Sequence, residues 1–187
     1  LPGFTGGWVG YAGYDTARYG EPEQLPFAAA PLDDRGLPDL HMAFYRTVVV
    51  FDHVAKVIHV IHNTDTTVAD PIGSAEAALD EVVSRLQQDG PALAPGAVDI
   101  DLAAPPQPPS DSSMSREEFE SSVERCREYI ADGDIFQVVL SQRFQRRTAV
   151  DPFEIYRALR VVNPSPYMIY MQSPDAVLVA SSPEILC

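Results

Sequence analysis

The chain has no long apolar run. Its hydrophobic stretches fall far short of the roughly 20 residues that cross a bilayer, so no membrane-spanning helix is expected. Cysteine is scarce. Cys126 and Cys187 show no Cys-x-x-Cys spacing, and the simple reading is a reducing compartment. Cys126 falls within a helical pattern, where a small buried residue is expected rather than a nucleophile. Positive charge is also in deficit: 13 Lys and Arg against 27 Asp and Glu give a formal net charge of −14. Residues 1–115 hold 5 basic and 16 acidic residues, whereas 116–160 hold 8 Arg and 9 acids. That balance is a poor match for a phosphate backbone or an anionic lipid surface, so neither nucleic acid nor membrane is an expected partner. There is no internal repeat and no coiled-coil heptad pattern. Gly7, Gly10 and Gly13 do not make a dinucleotide fingerprint, and no P-loop Lys follows them. No Ser/His/Asp set and no metal-ligand cluster can be picked out. His59 and His62 are three apart in a β-rich run, so they point to opposite faces and do not share a metal. His41 and His53 have no ligand-like neighbours. The sequence also lacks an initiator Met and a basic-then-apolar leader, and it stops at Cys187 just after a strand-like run. A fragment of a longer protein is the expectation.

What is present is the make-up of a soluble globular chain, with 45% hydrophobic and 21% charged residues over 187 positions. Residues 4–19 set glycines among aromatics. Tight sheet packing is the favoured reading, and a glycine-lined wall beside a small-molecule pocket is the alternative. A Pro- and acid-rich loop over 20–40 leads to two β-rich runs, 41–52 and 56–62, which read as an antiparallel hairpin turning at His53–Ala55. Asp70 and Pro71 open a helix over 70–89 with an apolar stripe of Ala75, Ala78, Leu79, Val82, Val83 and Leu86. Residues 91–112 hold six prolines and read as a linker. The expected organisation is one domain over 1–90, the linker over 91–112, and a second domain from 113 to 187.

The second half opens with a capping box, Ser115 to Glu118, and a helix carrying Phe119, Val123, Cys126, Tyr129 and Ile130 on one face. Asp132–Gly133 ends it. The run from Gly133 to Phe144 then reads as a β-strand. Phe136, Val138, Leu140 and Phe144 share a core face, while Ile135, Gln137, Val139, Ser141 and Arg143 share the other. Polar groups in so apolar a strand need local partners or a cavity to face. Asp151–Pro152 starts another helix, which breaks at Asn163–Pro164–Ser165–Pro166. Tyr167–Gln172 and Ala176–Ala180 read as a hairpin around Ser173–Pro174–Asp175. Glu184, beside Pro183, is either a site carboxylate or a strand-end cap.

Four motifs carry a resemblance. Gly133-Asp-Ile-Phe-Gln-Val-Val-Leu-Ser-Gln-Arg-Phe144, Asn163-Pro-Ser-Pro-Tyr-Met168 and Ser181-Ser-Pro-Glu-Ile-Leu186 resemble the chorismate-binding domain of anthranilate synthase component I. Phe4-Thr-Gly-Gly-Trp-Val-Gly-Tyr11 with Tyr14–Asp15 resembles its N-terminal domain. The resemblance implies an α+β fold, a fragment of the two-domain chorismate-binding architecture, with mostly antiparallel sheets flanked by helices. It implies a lyase reaction of tryptophan biosynthesis: chorismate and ammonia give anthranilate and pyruvate. Ammonia adds at the ring, the ring hydroxyl leaves, and pyruvate is eliminated. It implies Mg²⁺ held by carboxylates, a glutamine amidotransferase subunit supplying the ammonia, and feedback inhibition by tryptophan.

Two sets of site residues follow from the same resemblance. Gln137 is the candidate catalytic-site residue, a wall residue orienting the nucleophile or the ring. Relatives that add water to chorismate carry a Lys base at the matching position; an amide cannot act as a base, and ammonia needs none. Pro166, Tyr167 and Met168 are the candidate tryptophan-binding residues, offering an aromatic and a polarizable wall to an indole. From residue pattern alone, that segment reads as an ordinary helix-to-strand turn. The family's Mg²⁺ ligands and catalytic His and Arg residues are expected beyond Cys187, so residues 1–187 alone are expected to be inactive. The runs Asp33–His41 and Val48–Val54 resemble the plant and algal branch, which implies the plastid stroma, and otherwise the cytoplasm. Aminodeoxychorismate synthase, of the para-aminobenzoate branch, and a non-catalytic tryptophan-sensing module are the alternatives.

Overall fold

The computed structural model describes residues 2–90, 92–93, 95, 103, 105 and 111–182. The chain forms two compact units, Leu1–Pro95 with Met171–Leu178, and Gly96–Tyr170 with Val179–Cys187. The expected linker over 91–112 lies largely outside the described residues, as do Glu184 and Cys187.

In the first unit, β1 (Gly7–Ala12) pairs antiparallel with β2 (Leu40–Tyr45), from Gly7 opposite Tyr45 to Ala12 opposite Leu40. Gly13 N extends the ladder by donating to Asp39 O at 2.7 Å. Between them lies a short helix α1 (Ala17–Gly20). β3 (Thr47–Asp52) and β4 (Val57–His62) make the expected hairpin, with Thr47 opposite His62 and Asp52 opposite Val57. The turn between them is made by Asp52 Oδ1, which accepts from Val54 N and Ala55 N at 2.9 and 2.8 Å, and by Lys56 at φ 58°. The single run expected over 41–52 is therefore two strands in two sheets. The change of partner falls at Arg46, whose carbonyl accepts from Asn63 N at 2.8 Å. The Asn63 side chain ties the same point to Thr5 O at 2.7 Å. Helix α2 (Pro71–Gln87) begins as its sequence prescribes, with Asp70 Oδ1 accepting from Gly73 N at 2.9 Å and Pro71 in the first turn.

Gly10 of β1 supports the packing reading. A Cβ on Gly10 would collide with the His41 carbonyl oxygen across the ladder, with the Met42 sulfur at 2.7 Å. Only hydrogen fits there. Trp8 meets Phe44 across the same pair, edge to face at 5.3 Å.

In the second unit, α3 (Arg116–Asp132) carries a complete capping box. Glu118 N donates to Ser115 Oγ at 3.1 Å and Ser115 N donates to Glu118 Oε2 at 2.7 Å. Gly133 closes the helix at φ 83°, the left-handed position that favours glycine. A two-residue strand β5 (Asp111–Ser112) pairs with β6 (Phe144–Gln145). Helix α4 (Pro152–Val162) is capped by Asp151, which accepts from Phe153 N at 2.7 Å, and ends at Asn163. β7 (Tyr167–Gln172) and β8 (Val177–Ser182), whose turn-proximal residues Met171–Leu178 fall in the first unit, form the last sheet around a turn in which Ser173 N donates to Ala176 O at 2.8 Å.

Two expectations fail on the run 133–144. The strand is confined to Phe144–Gln145, and residues 135–143 join no ladder among the described residues. Nor is its apolar face buried: Phe136 is 94% exposed and Phe144 is also open. The physical reason is that a strand exists only where a neighbour accepts its N–H groups and donates to its carbonyls. No described segment does so for the backbone of 136–142, and the bonds at Ile135 and Arg143 do not extend a ladder. Burial is shallow throughout the described residues. Only Met171 and Arg18 are buried, each 9% exposed, and no side chain is fully enclosed.

Candidate functional site

The run that carries Gln137 is held at its two ends. At the start, Gly133 N donates to Ile130 O at 3.2 Å and Asp134 N to Tyr129 O at 2.9 Å, which seals the end of α3. At the far end, Gln142 Nε2 donates to Ser112 Oγ at 2.9 Å and to Met114 O at 3.3 Å. Arg143 N donates to Ser113 Oγ at 3.0 Å, and Ser113 N returns a bond to Arg143 O at 2.9 Å. Val138, Val139 and Leu140 lie along α3, where they line an open groove of about 440 Å³ with Phe119, Val123, Cys126 and Ile130. Residues expected on opposite strand faces therefore line one groove. Cys126 lies half-buried in this lining, which also includes Arg127. Gln137 is exposed, and its side chain has no hydrogen-bond partner among the described residues.

The second candidate segment sits between α4 and β7. Tyr167 and Met168 are the first two residues of β7 and so point to opposite faces of the sheet. Met168 shares a face with Tyr170, whose ring meets Phe153 and Tyr156 of α4 at 5.3 and 5.7 Å. Tyr167, 52% exposed, is on the other face, and Pro166 before it is exposed. The resemblance implied that Tyr167 and Met168 offer two walls to one ligand; the strand sends them to two sides.

Sequence reasoning did not find the bonds that join this segment to β8. Ser165 Oγ donates to Ser182 O and accepts from Tyr167 N at 3.1 Å. Ser181 Oγ donates to Asn163 O at 2.8 Å. The Asn163–Met168 and Ser181–Ser182 motifs, read separately in the sequence, are thus brought together by two hydroxyls pointing in opposite directions. The signal available was the Ser in each motif, but Ser is routine in turns.

The shifted ionisations lie outside these segments. Backbone N–H bonds from Ala55 and Val54 hold the Asp52 carboxyl below its ordinary range. The bonds from Ser115 do the same for Glu118. The hydrogen bond to Asp39 raises the Tyr19 phenol. Among the described residues, no group of three or more His, Cys, Asp or Glu side chains could hold a metal ion. His62 Nδ1 is instead within 2.7 Å of Thr47 Oγ1. No described helix is long and apolar enough to cross a membrane.

The helices and small two-stranded sheets make an α+β chain. All of residues 1–187 match the family described as chorismate binding enzyme, and the chain belongs to that family. Its relatives include the chloroplastic anthranilate synthase alpha subunit 1 of Oryza sativa subsp. indica, 51% identical over 98% of this chain and 33% of the rice protein. Anthranilate synthase component 1 of Pseudomonas aeruginosa is 40% identical over 100% of this chain and 37% of its own length. The crystal structure of anthranilate synthase component I from Streptococcus pneumoniae TIGR4 superposes with a TM-score of 0.72 at 36% identity, covering 97% of this chain and 39% of that one. The chain spans about a third of the length of these curated relatives.

Proposed function

We propose that this chain is part of an anthranilate synthase component I, which converts chorismate and ammonia to anthranilate and pyruvate in tryptophan biosynthesis. The observation that carries the proposal is 51% identity to a plant anthranilate synthase alpha subunit across 98% of the chain. In this reading, Gln137 orients ammonia or the ring. Its amide takes up no proton at neutral pH and so is no base, which suits a nucleophile that arrives already competent. The segment around it is anchored at Gly133 and Gln142 and open between them, so a chorismate site here has one wall in this chain. Mg²⁺ and its carboxylate ligands belong to residues outside those described. Pro166, Tyr167 and Met168 contribute to a tryptophan site, and a glutamine amidotransferase subunit supplies the ammonia. The chloroplastic rice and Arabidopsis thaliana relatives support a plastid location for a plant or algal parent.

The test is anthranilate fluorescence from the full-length protein supplied with chorismate, an ammonium salt and Mg²⁺. Anthranilate is expected from the full-length protein and none from residues 1–187 alone. Formation of aminodeoxychorismate instead, or no turnover of chorismate, would overturn the assignment. Gln137→Lys in the full-length protein is expected to lower anthranilate formation by about tenfold or more, because it replaces an orienting amide with a longer charged group.

A further inference from the structure

The loop from Asn163 to Pro166 is short of backbone donors, because Pro164 and Pro166 have no N–H. It is held to the end of β8 by side chains. Ser165, in the loop, reaches the Ser182 carbonyl, and Ser181, in the strand, reaches the Asn163 carbonyl at 2.8 Å. Ser165 also receives Tyr167 N at 3.1 Å, so one hydroxyl fixes the first residue of β7 and the last residue of β8 together. A group that settles against Pro166–Met168 pushes on a residue adjacent to Ser165. Either hydroxyl bond is weak enough to break and strong enough to bias a two-state loop.

We propose that Ser165 and Ser181 are positioning residues. They form a clasp that couples occupancy of the Pro166–Met168 segment to the placement of β8 at Ser181–Ser182. This rests on the reading of Pro166–Met168 as a tryptophan site. The clasp is what lets binding on one side of the loop alter chorismate affinity on the other, and the coupling is reciprocal.

The experiment uses the full-length protein and measures the ratio of chorismate KM with saturating tryptophan to that without it, at fixed Mg²⁺. Tryptophan affinity is measured separately by calorimetry. Ser165→Ala and Ser181→Ala are each expected to lower that ratio by about threefold to tenfold, the range that one net hydrogen bond covers. Tryptophan affinity without chorismate should hold to within about threefold. Ser165→Thr and Ser181→Thr, which keep the hydroxyl, should restore the ratio. A general loss of stability would not produce that rescue. Tyr167→Ala is the control for the site itself and should weaken tryptophan binding. If it does so while both Ser→Ala variants keep the wild-type ratio, the clasp is overturned and the site stands. If wild-type protein does not bind tryptophan, or Tyr167→Ala binds it unchanged, the site reading falls and the clasp falls with it.

Discussion

Gly10→Ala should break the pairing of β1 with β2. Gly10 lies opposite Met42, in the middle of a six-residue ladder. The added methyl would sit inside the van der Waals shell of the His41 carbonyl oxygen, 2.8 Å from the His41 carbonyl carbon and 2.7 Å from the Met42 sulfur. The sulfur can swing away at small cost because it ends a flexible side chain. The carbonyl cannot, because it belongs to the partner strand's backbone. Relief therefore requires the strands to separate locally. Overpacking costs about 1–3 kcal/mol, and a backbone collision belongs in the upper part of that range. For a cooperative unfolding unit of this size, 2 kcal/mol corresponds to a fall of about 4–8 °C in Tm, and for a larger unit to proportionately less. Gly3→Ala is the matched control: nothing lies within 4 Å of its added methyl, so its effect should stay within about 0.5 kcal/mol. Thermal unfolding of the full-length protein gives the magnitude. Amide exchange locates it, since protection should fall along Gly7–Ala12 and Leu40–Tyr45 while the β3–β4 hairpin keeps its own. An unchanged Tm with unchanged protection in β1 would refute the register and the packing role of Gly10 with it.

The remaining predictions concern single interactions. Ser115→Ala removes the cap of α3 and should cost about 1 kcal/mol, read as a lower urea midpoint with faster exchange at Glu117–Phe119. The Glu118 carboxyl is held low by its bonds from Ser115, so its contribution is complete above the unfolded glutamate pKa and is lost as pH falls through the lower folded value. A carboxyl titration by NMR should therefore place Glu118 below a glutamate model peptide, and Ser115→Ala should move it only part of the way back, because the backbone N–H at 115, the larger cause, is retained. Gln142→Ala removes the side-chain donor to Ser112 and Met114 and should raise amide exchange at Ser113 and Arg143, leaving α4 unaffected.

What was legible in the sequence was what is decided locally. Asp70–Pro71, Ser115 with Glu118, and Asp151–Pro152 each mark a helix start because the cap and the groups it satisfies lie within three residues. The β3–β4 and β7–β8 hairpins were legible for the same reason, since their turns close over a few residues. The division at Arg46 was not. Nothing in Tyr45–Arg46–Thr47 announces it; it is set by Gly7–Ala12, more than 30 residues earlier, taking β2 as partner. The Ser165–Ser182 and Ser181–Asn163 bonds were hidden likewise, because each residue taken alone is an ordinary turn or strand-end serine.

The run from Gly133 to Phe144 shows the limit most clearly. Its residues specify strand by every local measure: β-branched and aromatic side chains, alternation, and a left-handed glycine launching it from α3. The same residues nevertheless form a ladder only at Phe144–Gln145, where Asp111–Ser112 supplies the other edge. Propensity for strand is a fit to a pleated surface that must already exist. Here the two ends are secured by hydrogen bonds to α3 and to 112–114, and the middle, with Phe136 94% exposed and Val139 83% exposed, is left without an edge to join. An apolar strand sequence held at both ends and unpaired in between is complete as a motif and incomplete as structure. Gln137 sits in that interval, exposed and in no ladder among the described residues.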